Sequence, residues 1–287
     1  MFLPQDCAGA ESLARAAYEA RRYEQAAQHF ARAAADCGAS APILLALGQA
    51  QLLARRPADA VETLRRIRAE DSQYVAALKV QARALYLLAR DEEAEQALVR
   101  AAERAPRDAE IPYDLGRIYY QQGRHGQAAE SFRRATAIDP GAYRAWDNLG
   151  LASEALGDDA QAQQHYLKAI AIVHKAHPGY DVVYANFAEM LIKAGQFQRA
   201  FDLAAEAAQR NPDEPRNLYL AGKALVQLGR PDVSLRWLER AVALDANYPE
   251  PQYLLMQVYR RLGRPADAER ARQAFQTAAA RAPKVRR

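Results

Sequence analysis

Apolar residues return along this chain every three or four positions, in short stretches separated by glycine or proline. Residues 109–142, AEIPYDLGRIYYQQGRHGQAAESFRRATAIDPGA, show the pattern most plainly. Leu115 and Tyr119 stand one helical turn apart, and beyond Gly123 come Ala128, Phe132 and Ala135 at steps of four and three. Such spacing puts each set on one face of an α-helix. The pattern predicts a first helix over residues 109–122, broken at Gly123. It predicts a second over residues 125–138, stopped by Asp139-Pro140-Gly141. A lone hairpin of this size buries too little apolar surface to persist in water. It needs copies of itself on either side.

The copies are present. The small residue early in the second helix recurs at Ala26, Ala60, Ala94, Ala128, Ala162, Ala200, Ser234 and Ala268, at steps of 34, 34, 34, 34, 38, 34 and 34. Gly123, Gly157, Gly195, Gly229 and Gly263 keep the same rhythm, including the step of 38. Two residue types sharing one irregular step define eight hairpins, at residues 7–40, 41–74, 75–108, 109–142, 143–180, 181–214, 215–248 and 249–282, with a short basic tail at 283–287. Pairs such as Leu47-Gly48, Leu115-Gly116 and Leu149-Gly150 let the two helices of a hairpin approach closely. Phe30, Leu64, Leu98, Phe132, Tyr166 and Leu238 fill the seam to the next repeat. The fifth repeat is four residues longer, through residues 171–178, which predicts an extended second helix. Repeats one to three carry Arg21, Arg55 and Ala89 where the later ones carry the turn glycine. Alternating β-branched runs between turn pairs are nearly absent, so the fold class is all-α and the chain one continuous domain.

Composition narrows the class further. Half of the 287 residues are hydrophobic but only 8% are aromatic, which suits closely approaching helices better than a thick layered core. The net charge of +4 is spread along the length without a basic stripe, so no nucleic-acid partner is expected. Residues 1–7 have neither a basic n-region nor a long apolar h-region, and no run of 18 uncharged apolar residues exists. A soluble chain without a membrane span is expected. Its compartment is cytoplasmic by default, and periplasmic or extracellular if a leader has been removed and the cysteines pair. The two cysteines, Cys7 and Cys37, fall near the two ends that an antiparallel hairpin brings together, where a disulfide would staple the first repeat. The other reading is two half-buried thiols.

Trp146-x2-Leu149-Gly150, Ala128-x3-Phe132 and the closing Asp139-Pro140 resemble the tetratricopeptide repeat family over about residues 7–282. Pro112 departs from its pattern at the aromatic position of repeat four. The resemblance implies a right-handed α-solenoid (superhelix) of antiparallel helix pairs. It also implies a non-catalytic scaffold that binds a peptide segment or helix of another protein in a concave groove. In the family that groove is lined by positions 2, 5, 6, 9, 12 and 13 of each first helix. Carried onto this chain, those positions give Lys79, Arg83, Tyr86, Tyr113, Arg117, Tyr120, Arg144, Asn148, Asn186, Tyr219, Lys223 and Tyr253. Tyrosine and arginine supply contact area together with hydrogen bonds, the composition of interface hot spots. Asparagine at position 6 grips an extended peptide backbone in some members, and Asn148 and Asn186 stand there. Chaperone-binding members carry a carboxylate clamp. Lys79, Arg83, Arg144 and Asn148 meet that pattern in part, while Asp114 opposes a terminal carboxylate. The competing account is a solvated face whose arginines pair with Glu110, Asp114 or Asp147.

No catalytic motif stands out. His174 and His177 share a helical face, but no nearby carboxylate or cysteine completes a metal set. Glu92-Glu93 and Asp158-Asp159 precede second helices, where acids favour the helix dipole. No catalytic residue, metal or cofactor is expected. The chain is expected to be monomeric, with a homodimer through the C-terminal repeat as the alternative to the groove-binding scaffold.

Overall fold

The computed structural model describes residues 4–281, with side chains from residue 9 onward. Sixteen α-helices and no strand occur among the described residues. In chain order they are α1 (Pro4–Glu19), α2 (Tyr23–Asp36), α3 (Ala41–Leu53), α4 (Pro57–Leu64), α5 (Tyr74–Leu87), α6 (Asp91–Arg104), α7 (Glu110–Gln121) and α8 (His125–Ile138). Then follow α9 (Tyr143–Ala155), α10 (Asp159–Ala176), α11 (Val182–Lys193), α12 (Phe197–Arg210), α13 (Pro215–Gln227), α14 (Pro231–Leu244), α15 (Pro249–Arg261) and α16 (Pro265–Arg281). Packing divides the chain into two units, Met1–Ala145 and Trp146–Arg287. In the first unit each odd-numbered helix packs on the even one after it, and α3, α5 and α7 also touch in series. In the second, α11, α13 and α15 are related in the same way.

Close approach within a hairpin rests on glycine. A Cβ on Gly116 would stand 2.6 Å from the Phe132 ring, and one on Gly150 would stand 2.6 Å from Tyr166. The large residue of the second helix therefore seats on the bare backbone of the first. It also reaches forward: Tyr166 stacks on Phe187 of the next hairpin at 5.5 Å between centroids. Alanine does the rest, with Ala94, Ala128, Ala162 and Ala200 fully buried.

The turns follow from backbone geometry. Gly123 takes a φ of +72°, its N–H donates to the Tyr120 carbonyl, and the Arg124 N–H reaches back to Tyr119 at 2.8 Å. These bonds satisfy carbonyls that the end of α7 leaves without helical partners. Arg21, Arg55 and Ala89 take the same left-handed conformation without glycine's freedom, at φ of +56°, +61° and +55°. The stop after α8 is an Asp139 carboxylate accepting the Gly141 N–H at 2.9 Å.

Three second helices depart from the common length of 14 residues, the last of them, α16, with 17. α10 has 18, which carries it through the longer repeat. α4 has only 8. Beyond it the Arg66 and Ile67 N–H groups bond three residues back, to Thr63 and Leu64, and the Asp71 carboxylate accepts the Arg68 N–H at 2.9 Å. This tightening drops Ile67 into a cluster with Leu44, Leu64, Ala77 and Val80. Burial of Ile67 has overridden the helix preference of the arginines around it.

Cys37 caps the C-terminus of α2, its N–H on the Ala33 carbonyl. The expected pairing with Cys7 involves a side chain outside the described residues, and the basic tail at 283–287 also lies outside them.

Candidate functional site

In the first unit the exposed face of α5 and α7 carries an interlocked set of charged and aromatic side chains. Lys79 Nζ donates to the Asp108 carboxylate at 2.8 Å and pairs with Glu110. Arg83 Nε donates to Asp114 at 2.9 Å, and a second guanidinium nitrogen lies 3.5 Å from Glu110. Asp114 is only 4% exposed, and Arg117 approaches its other oxygen at 3.8 Å. The Arg117 guanidinium also lies over the Tyr86 ring, 5.2 Å from its centroid, a cation–π arrangement. A cavity of about 210 Å³ opens beside this set. Arg83, Tyr86, Asp114 and Arg117 line it together with the apolar Leu98 and Ile118 and with Leu87, which is 62% exposed.

The electrostatics follow from burial and pairing. Burial pushes the Asp114 carboxyl above its usual range, against the pull of Arg83 and Arg117. Glu110 is held below its usual range, first by the hydrogen bond from Lys79. Burial alone would lower Lys79, but Asp108 and Glu110 outweigh it and leave the ammonium raised. Three cations thus face three acids. The cluster offers a terminal carboxylate little net positive charge, and the Arg83–Asp114 pair uses the group that a carboxylate clamp would need.

The other positions carried over from the sequence are distributed differently. Tyr113 packs against Phe132 at 6.0 Å, and Tyr120 faces His125 at the start of α8, 5.1 Å away. The Arg144 guanidinium lies 5.6 Å from the Tyr143 ring. Asn148 is half-buried on α9.

In the second unit Asn186 is buried and engaged on both sides. Its Nδ2 donates to Asp147 at 2.9 Å, and its Oδ1 accepts two bonds from Arg216 at 3.0 Å each. Arg216 continues to Glu189 at 2.6 Å, and the Tyr180 hydroxyl donates to the second Asp147 oxygen at 2.8 Å. Burial raises Asp147 to about 6 despite these donors. Farther along, Tyr219 meets Tyr248 edge-on at 5.5 Å with the Lys223 ammonium 5.6 Å from the Tyr219 ring. Tyr253 is exposed beside Phe275.

Several contributors escape the sequence reading, Leu87 and Tyr180 among them. Leu87 ends α5 directly after Tyr86, at the thirteenth position of its repeat, and its position was the available signal. Tyr180 leaves no such signal, because it reaches Asp147 across 33 residues from the turn that follows α10.

Among the described residues no group of three histidine, cysteine, aspartate or glutamate side chains could hold a metal ion. No described helix is long and apolar enough to cross a membrane. What the geometry offers is a surface of stacked arginine and tyrosine around an apolar depression, on an all-α array of helix pairs.

This is the arrangement of a helical-repeat protein. A tetratricopeptide repeat family model matches residues 79–143 and 113–181, and a second tetratricopeptide repeat model matches residues 191–241. The chain belongs to the tetratricopeptide repeat family, and its fold is an α-solenoid of helix pairs. A type IV pilus assembly protein, PilF of Pseudomonas aeruginosa, is 27% identical over 145 residues, covering 50% of this chain and 55% of that protein. The chain thus matches about half the length of that relative. The solved structure of Pseudomonas aeruginosa PilF superposes with a TM-score of 0.62 at 21% identity, over 73% of this chain and 93% of that one. The crystal structure of MamA protein gives 0.53 at 24% identity, over 60% and 94%. At these identities the solved structures establish the fold alone. Tetratricopeptide repeats in general mediate protein–protein interaction and are non-catalytic.

Proposed function

We propose that this chain is a non-catalytic scaffold that takes a segment or helix of a partner protein on the α5–α7 face of its first unit. The observation that carries the reading is the cavity of about 210 Å³ where exposed Leu87 adjoins the stacked Tyr86–Arg117 pair. An apolar side chain of the partner fills the depression. Arg117, partly exposed and only loosely paired with Asp114, supplies hydrogen bonds at its rim. Because acids and bases balance there, recognition rests on apolar contact and arginine geometry rather than on net charge. Tyr219, Lys223 and Tyr253 offer a second patch of the same composition in the other unit. The likeness to a type IV pilus assembly protein makes an assembly component the first partner to test.

The test is a binary binding measurement. Partners recovered with the wild-type chain are purified and titrated against it and against a Leu87→Asp, Arg117→Glu double variant. Both sites are exposed enough for the variant to fold, which a thermal melt checks. A loss of tenfold or more in affinity is expected, since each such contact contributes roughly 1–2 kcal/mol. Unchanged affinity in the folded variant rules this face out. Light scattering at high concentration separates the competing reading, self-association through the last repeat, from capture of a different protein.

A further inference from the structure

A second cavity lies away from that face, and two departures from the repeat pattern create it. The first is the early stop of α4: it has 8 residues where α6 has 14. A cleft of about 280 Å³ opens between the residues that follow it, α5 and α6. The second departure is Gln81. Its counterparts in the neighbouring and later repeats are Leu47, Leu115, Leu149 and Leu255, each apolar and turned inward. Gln81 is just as deep, 7% exposed, and lines the cleft. Its amide makes no hydrogen bond among the described residues. The amide atoms are reachable from the cleft, so a ligand entering it can bond them.

The rest of the lining says what that ligand would be. Leu64, Ile67 and Leu78 give apolar walls, while Gln96 and Glu93 add polar lining, the Glu93 carboxylate being taken up by Arg65 and Arg90. Arg65 stands at the mouth, but Glu62 at 2.7 Å and Glu93 at 3.1 Å already hold it. Arg100, also lining the cleft, is exposed and bonded only to the Gln96 carbonyl one turn back, at a long 3.4 Å. An amide donor inside, apolar walls and an available guanidinium at the rim match a short aliphatic chain with an acceptor at each end. Ligand sites run from about 300 Å³ upward, so the cleft suits a molecule of few heavy atoms.

We propose that the cleft beside α4 binds a short-chain dicarboxylate, one carboxylate accepting the Gln81 amide hydrogens and the other paired with Arg100. The site shares no lining residue with the α5–α7 face and stands whether or not that face binds a partner.

The experiment is a titration of the isotopically labelled full chain with glutarate, followed through backbone amide shifts, with neutral glutaramide as the shape-matched control. Saturable shifts are expected at residues 64–85 and 93–100, and glutaramide should bind at least tenfold more weakly. Arg100→Ala should weaken glutarate roughly tenfold or more, the usual worth of a hydrogen bond to a charged group. Gln81→Leu gives this position an apolar residue as in the other repeats, so it should fold and lose the saturable shifts. The proposal is overturned if glutarate produces no saturable shift, or if the shifts scatter over exposed arginines elsewhere. It is equally overturned if Gln81→Leu folds and binds glutarate as before, since the amide would then take no part in the site.

Discussion

Single residues in this protein are read by what they permit the backbone to do. The repeat needs one residue at positive φ between its two helices, and five later repeats supply glycine for it. Ala89 supplies the same conformation with a Cβ, at a φ of +55°. For an L-residue with a side chain that conformation costs about 1 kcal/mol, partly offset in glycine by the larger entropy of its unfolded chain. Ala89→Gly should therefore stabilise the protein by about 0.5–1 kcal/mol, read as a shift of the urea midpoint at unchanged slope. A lower midpoint in the variant would show that the Ala89 methyl contributes packing larger than the strain it brings. The position was legible in the sequence as a missing glycine. That the chain accepts the strain instead of changing the turn shows only in the hydrogen bonds, with Arg90 N–H still reaching back to the Leu85 carbonyl at 2.9 Å.

At the scale of the helix, what was legible is local and what was hidden depends on distant contacts. The starts and stops of α7 and α8 follow from apolar spacing, Gly123 and Asp139-Pro140, all read within 34 residues. The helical face bearing Arg83, Tyr86 and Arg117 follows from the same periodicity. The partners of that face do not. Asn186 looks like a free amide in sequence, yet it is committed to Asp147 across 39 residues and to Arg216 across 30. The early stop of α4 is hidden for a similar reason. Residues 65–70 include arginines that favour a helix, but Ile67 gains more by dropping onto Leu44, Leu64, Ala77 and Val80. If that burial is what ends the helix, Ile67→Ala should cost on the order of 2–4 kcal/mol, like a core position, although it lies in a connection. The same variant should raise amide exchange across residues 65–73 more than across α6. A cost within about 0.5 kcal/mol, the range of surface substitutions, would mean that the segment is held by something else.

Across the whole molecule, stability should depend on pH through two opposed sets of carboxyl groups. Asp147 is 1% exposed, and burial raises it to about 6 from the ordinary aspartate value of 3.8, with the Asn186 and Tyr180 hydrogen bonds only moderating the shift. Its folded form binds the proton more tightly than the unfolded form. The folded state therefore gains from this group as the pH falls through 6 toward 3.8, and above 6 it bears the full cost of the buried charge. That cost is on the order of 3 kcal/mol at 1.36 kcal/mol per unit. Asp114 is raised by burial as well and acts in the same direction. Glu110 is lowered, chiefly by Lys79, and Glu95 and Glu189 end lowered because Arg124 with Tyr119, and Arg216, outweigh their burial. Those three stabilise the fold above the usual glutamate range, and their contribution is lost as the pH falls through their lowered values. The sum is a protein more stable at pH 5 than at pH 8, failing in stronger acid. Asp147→Asn removes the largest upward shift while keeping the side chain's shape. Urea unfolding at pH 5, 6, 7 and 8 should show the wild type gaining stability toward pH 5 and the variant nearly flat over the same window. Parallel curves for the two proteins would place the source of any pH dependence elsewhere and remove Asp147 from the account. A flat variant would instead identify the Tyr180–Asp147–Asn186 network as tolerating a charge that costs stability near neutral pH.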